Sequence, residues 1–155
     1  MQIRRPTMTL ADILDKDLIQ IPLESNTKNG VIEELTDLLV THRPSVNREE
    51  ILAAIFAREA LGSTGLADGI AIPHAKTTAV ESIAVVVGVT ESPIDFDSQD
   101  GKGCQFFFMV VAPEHEASAH IEVLASIARA TASNAFRRLL AASRSAEEVY
   151  ELFRE

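Results

Sequence analysis

Two apolar runs dominate the chain, residues 83–89 (IAVVVGV) and 104–111 (CQFFFMVV). Runs this short, rich in β-branched and aromatic residues and bounded by turn formers, predict strands covered on both faces. Residues 18–23 (LIQIPL) alternate around Gln20 and predict a first strand, with Pro22 marking a sheet edge. Residues 69–74 (GIAIPH) read as a short apolar strand ended by a proline, so that His74 closes it. Between these segments the period becomes helical. Val31, Leu35, Leu38 and Leu39 share one face, and Asn26 or Thr27 can cap that helix. A second helix starts near Asn47 with Glu50 three residues on, as in a capping box; it buries Ile51, Leu52, Ile55 and Phe56 and stops at Gly62. Ser118 is the expected N-cap of a third helix that buries Ile121, Leu124, Ala125 and Ala128. Residues 135–142 and 146–153 predict one or two shorter helices at the end of the chain. Helices and strands in this order predict an α/β fold, a single-domain sandwich with a mixed β-sheet flanked by helices on both sides. The domain spans residues 9–155, after a short tail of residues 1–8 that carries Arg4 and Arg5.

Composition narrows the class. The 155 residues are 46% hydrophobic and 24% charged, the balance of one folded domain. A net charge of -9 argues against binding nucleic acid or an anionic membrane, both of which need a positive face. Any phosphate site must therefore be a local positive spot on a negative protein. The single cysteine, Cys104, excludes an internal disulfide and suits a reducing compartment; opening an apolar strand, it reads as a small core residue. The start of the chain has no signal-peptide pattern, and the longest apolar stretch is too short to span a bilayer. A soluble cytoplasmic protein is expected.

The chain lacks a glycine-rich phosphate loop, so a nucleotide cofactor has no support. His115 and His120 imitate a zinc-protease pair but stand one residue too far apart. On a helix they would point about 140° apart, at ~100° per residue. Neither a metal nor a cofactor is expected.

The candidate chemistry centres on His74. Pro73 fixes its own φ and keeps Ile72 extended, so the next side chain is presented at a defined angle, and small Ala75 leaves room beside the ring. A neutral imidazole is a good nucleophile near neutral pH. His120, near the start of the Ser118 helix, and Arg58, near the end of the second helix, would bring a hydrogen-bond donor and a bidentate cation to an anion. Each also has an ordinary explanation, as a capping or solvated residue at a helix end, and spacing alone does not show that the three converge.

The segment from Glu59 to Ala75 resembles the active-site signature of fructose/mannitol-type IIA domains of the bacterial phosphotransferase system. The matching residues are Glu59, Leu66-Ala67 and Ile70-Ala71-Ile72-Pro73-His74-Ala75. The resemblance extends over residues 10–153. It implies that His74 is the phosphorylated nucleophile, His120 the second active-site histidine that donates a hydrogen bond to the phosphoryl group, and Arg58 the phosphate-binding charge. It implies a phosphotransferase with a phosphohistidine intermediate, loaded by a histidine phosphocarrier protein of the HPr or NPr type. Family members often carry Asn where this chain has Asp68, which would add negative charge near the site. With no IIB or IIC segment in its length, the chain is most similar to the stand-alone nitrogen-regulatory branch, IIA-Ntr, which acts on regulatory target proteins. The alternative is a stand-alone fructose or mannitol IIA that passes phosphate to a IIB domain.

Overall fold

The computed structural model describes residues 9–154; the tail, residues 1–8, lies outside the described residues. Its centre is a five-stranded mixed sheet. The two apolar runs become its long strands, β4 (Ala84–Ile94) and β5 (Cys104–Ala112), paired antiparallel. Short β1 (Ile19–Gln20) runs parallel to β4 at one edge, as Pro22 foretold. On the other side β2 (Ile70–Ala71) and β3 (His74–Lys76) lie end to end along β5, both parallel to it.

Alternation along the long strands divides the core in two. Val86, Phe107, Met109 and Val111 pack on one face with α2 (Lys28–His42) and α3 (Arg48–Ala60), through Val31, Ile32, Leu35, Leu39, Ile51 and Ile55. Val85, Val87, Phe106, Phe108 and Val110 face Val123 and Ile127 of α4 (Ala117–Thr131), Leu140 of α5 (Asn134–Ala142) and Val149 of α6 (Ala146–Arg154). Burial on both faces explains why neither run shows polar alternation. A short helix, α1 (Leu10–Ile13), precedes all of these and carries a full Thr9–Asp12 capping box. Gly88 interrupts the valine run because a Cβ there would sit 2.5 Å from Leu23 Cδ1.

Local details revise several expectations. Thr27, not Asn26, caps α2 by accepting from the Gly30 amide. Asn47 caps α3 through the Glu50 amide, and the chain leaves the helix at Leu61 and Gly62. Ser118 is not a cap: α4 begins at Ala117 and its N-cap, Glu116, makes no side-chain cap hydrogen bond. Ile121 is exposed, because α4 turns His120, Val123, Ile127 and Thr131 inward, a face set by seating His120 against the sheet. Leu124 and Ala125 are partly buried, whereas Ala128 is exposed. Pro73 does not end the sheet edge; it breaks it into two strands, so His74 opens β3 rather than closing β2. The proline lacks an amide, yet its carbonyl still accepts from the Val110 amide at 2.9 Å and keeps the edge in register. Among the described residues no helix is long and apolar enough to cross a membrane.

Candidate functional site

Strand alternation aims His74. Ala75 points into the core beside α3, which sends His74 and Lys76 to the opposite face, toward α4. There the His74 and His120 rings lie 5.4 Å apart between centroids, tilted by 57°. His74 also shares an open hollow of about 320 Å³ with Arg58 and Thr64, walled by Leu124, Ala125 and Ala128 of α4. The chain thus brings both His120 and Arg58 near one imidazole.

The His74 ring is held by a single short bond, with Nδ1 2.7 Å from the Ile72 carbonyl oxygen. A carbonyl only accepts, so Nδ1 carries the proton and Nε2 presents a lone pair. Burial lowers the pKa of His74 below its ordinary value, and the Arg58 charge lowers it further; the Ile72 carbonyl and Glu59 oppose them. The ring is therefore neutral at pH 7. His120 lies deeper, 5% exposed, and its Nε2 is buried with no hydrogen-bond partner among the described residues. Burial, then repulsion from His74 once it is protonated and from Lys76, push its pKa down to about 4. A buried polar atom without a partner costs roughly 1–3 kcal/mol, so in natural proteins such an atom is met by a water, an ion or a bound group.

Both histidine shifts are downward, so the folded chain binds fewer protons than the unfolded one as pH falls from 6.5 toward about 4. Stability is lost on acidification through that window. Ring-carbon NMR titration should show His74 with a midpoint below 6.5 and His120 remaining neutral to about pH 4; ordinary values for both would refute the buried-pair geometry.

Arg58 has a structural bond as well. One guanidinium nitrogen donates to the Gly62 carbonyl at 2.7 Å and ties down the turn after α3. A guanidinium has five N–H donors, so this bond orients the group and leaves others for an anion. Asp68 adopts φ +61°, a conformation that Asp and Asn tolerate better than most residues. Its carboxylate approaches Arg137 at 3.8 Å and does not line the hollow, so the expected negative charge is turned away from His74.

His115 and His120 do not come together as a ligand pair: His115 is exposed beside Glu116, whereas His120 is buried. Cys104 is a buried core thiol, raised to about 11 mainly by burial, with its sulfur 3.6 Å from the Ile70 carbonyl. Sequence reasoning missed the surroundings of Glu59. Its carboxylate is 6% exposed, 2.9 Å from Lys28 Nζ, and accepts from the Thr64 amide and hydroxyl. One signal was available, since Lys28 at the first turn of α2 opposes the helix dipole. It also missed Lys76, whose positive charge lies on the His74 face of β3.

Comparison with known proteins bears on the chain as a whole. The sequence profile of the family described as "Phosphoenolpyruvate-dependent sugar phosphotransferase system, EIIA 2" matches residues 12–155. The fructose-specific EIIABC component of Bacillus subtilis is 30% identical over 96% of this chain, which spans only 23% of that longer protein. The nitrogen regulatory protein of Pseudomonas aeruginosa is 31% identical, covering 88% of each chain. The fructose-specific EIIA component of Haloferax volcanii is 32% identical over 94% of this chain and 95% of its own. Among solved structures, nitrogen regulatory protein IIA-Ntr from Neisseria meningitidis superposes with a TM-score of 0.87 at 33% identity, over 93% of this chain and 98% of that one. Mannitol IIA from Escherichia coli gives 0.75 at 27% identity, over 90% and 98%.

Proposed function

The chain belongs to the EIIA 2 family of the phosphoenolpyruvate-dependent sugar phosphotransferase system, and from that premise we propose that it takes a phosphoryl group on Nε2 of His74 from a phosphorylated histidine of a small carrier protein. The observation that carries this is the bond from Nδ1 to the Ile72 carbonyl, which leaves Nε2 as the free lone pair. In the transfer the donor's N–P bond breaks and its electron pair returns to the donor imidazole, while a new N–P bond forms at His74 Nε2. The Nδ1 proton stays where it is. Such a transition state is loose, with charge spread over three equatorial oxygens, so the protein's task is to position and neutralise. Arg58 supplies charge from α3, Lys76 from β3, and His120 a hydrogen bond from its unpartnered Nε2. The phosphoryl group arrives already activated as a phosphoramidate, and the groups around His74 Nε2 are two cations and a second imidazole.

The biological use we propose is regulatory: phosphorylation of His74 alters docking on partner proteins in the cytoplasm, as in the nitrogen-related branch. The higher superposition with IIA-Ntr than with mannitol IIA supports this. A doubly charged group on His74 places strong negative charge in a hollow walled by Leu66, Leu124, Ala125 and Ala128, which changes what that surface can dock. The second reading, a fructose IIA that feeds a IIB domain, draws on the 32% identity to the Haloferax fructose EIIA component, beside 31% to the Pseudomonas nitrogen regulatory protein.

Two incubations test both levels. Wild-type chain mixed with phosphoenolpyruvate, enzyme I and phosphocarrier, of the HPr type and then of the NPr type with its own enzyme I, should gain one acid-labile phosphoryl by intact mass. No gain with either active carrier refutes the proposal. The phosphorylated chain should then keep its phosphoryl when a fructose- or mannitol-type IIB is added; rapid transfer to the IIB cysteine would establish the sugar-transport reading instead.

A further inference from the structure

We propose that the partly buried Lys28–Glu59 ion pair is a positioning device for the nucleophile, setting the orientation and tautomer of His74 through a line of hydrogen bonds. The inference rests on His74 being the phosphoryl acceptor, although its readout at the ring does not.

The line can be followed atom by atom. Lys28 Nζ, at the start of α2, lies 2.9 Å from Glu59 Oε2 in the last turn of α3. The Glu59 carboxylate accepts from the Thr64 amide at 3.2 and 3.3 Å, and from the Thr64 hydroxyl. The Thr64 carbonyl accepts from the Ile72 amide at 3.1 Å. The Ile72 carbonyl holds His74 Nδ1 at 2.7 Å. A side chain on α3 thereby governs the carbonyl that decides which nitrogen of His74 is free. Arg58, the neighbouring residue, clamps the same turn from its other end through the Gly62 carbonyl.

Stability alone does not account for this pair. Glu59 is 6% exposed and Lys28 20%, and burying two charges costs several kcal/mol per ion that their attraction only partly offsets. Lys28 stands at the positive end of α2, where the helix dipole disfavours a cation. It is kept there by the ring of Phe96, 4.9 Å below its ammonium group, and by Asp97 at 3.7 Å. Phe96 is fully buried, and its carbonyl accepts from the Ser63 hydroxyl at 2.6 Å, which fastens the turn before Thr64 to the same anchor. An ion pair placed against the helix dipole, on a rigid aromatic floor and aimed at one turn, fits a positioning role. Glu59 also opposes the loss of proton affinity that burial imposes on His74.

The test separates positioning from stability. Lys28→Met with Glu59→Leu replaces the pair by apolar residues, an exchange that buried ion pairs commonly survive or gain from. Because the leucine also leaves the buried Thr64 amide and hydroxyl without their acceptor, this double variant should melt several degrees lower while staying folded, and its His74 ring nitrogens should move from the single Nδ1–H form to a tautomer mixture by 15N NMR. Phosphoryl uptake from the phosphorylated carrier should slow about 10- to 100-fold, the scale of a misplaced reacting group. Glu59→Gln, which retains an oxygen to accept from Thr64, should recover most of the rate and the single tautomer. Unchanged ring shifts in the folded double variant would overturn the proposal, as would an unchanged uptake rate. Should the double variant not fold, Thr64→Val cuts only the hydroxyl from Glu59; a smaller movement of the same ring signals is then expected, and none would overturn it. A wild type that accepts no phosphoryl from any carrier refutes the proposed function, and the ring signals alone then decide the positioning.

Discussion

His74→Ala leaves the chain folded and unable to take up a phosphoryl group. The fold survives because β3 is held by its backbone: residues 74, 75 and 76 pair with Val110, Val111 and Ala112, and the Pro73 carbonyl holds the Val110 amide. The ring itself is half-buried, and its hydrogen bond is to Ile72, two residues away. Losing one such bond costs about 1 kcal/mol, a shift of roughly 2–4 °C in the melting midpoint of a domain this size. The chemistry does not survive, because His120 offers no substitute. With a pKa near 4 it is neutral too, but it is 5% exposed and cannot meet a donor protein's phosphohistidine in line. Intact mass after incubation with the loaded carrier, beside a thermal melt, checks both halves. A variant that still gains one acid-labile phosphoryl places the chemistry on another histidine and overturns the site assignment.

The parts of the fold legible in the sequence are those where one residue type has one physical use. Valine and phenylalanine runs without alternation meant strands buried on both faces, and β4 and β5 are such strands. Pro22 meant an edge, and β1 is one. The reading went astray where a position served two masters. The α4 stripe appeared to run through Ile121, yet the helix turns inward at His120, a polar residue that apolar periodicity passes over. Pro73 looked like a strand end because it lacks an amide, yet its carbonyl carries the ladder past it. At the site, the sequence singled out His74 because a signature surrounds it. Its convergence with Arg58 and His120 was not, since three residues on three elements meet only through the packing of α3 and α4 around the β3 edge. The ion pair of Lys28 with Glu59 spans 31 positions, and only the misplaced charge at a helix start hinted at it.

His120→Leu should make the protein more stable and slower, a combination that follows from one atom. The side chain occupies an inward position of α4 in line with Val123 and Ile127, so a leucine there fits the apolar pattern of its own helix face. It also removes a buried Nε2 that has no partner, and relieving such a group is worth on the order of 1 kcal/mol. The melting midpoint should rise at pH 7. It should rise further relative to wild type at pH 5, because a group held near pKa 4 no longer draws protons to the unfolded state. Transfer should move the other way. If that Nε2–H exists to meet a phosphoryl oxygen in the transition state, losing it resembles the loss of one preorganised oxyanion donor, a drop of roughly 100-fold in single-turnover rate. Rapid-quench transfer from the phosphorylated carrier, set beside melts at the two pH values, reads both effects. A faster or unchanged rate removes His120 from the reaction. A lower midpoint shows that Nε2 is already satisfied in solution, and the argument from its missing partner then fails. The opposed outcome, a gain in stability with a loss in rate, identifies a residue kept for chemistry at the expense of the fold.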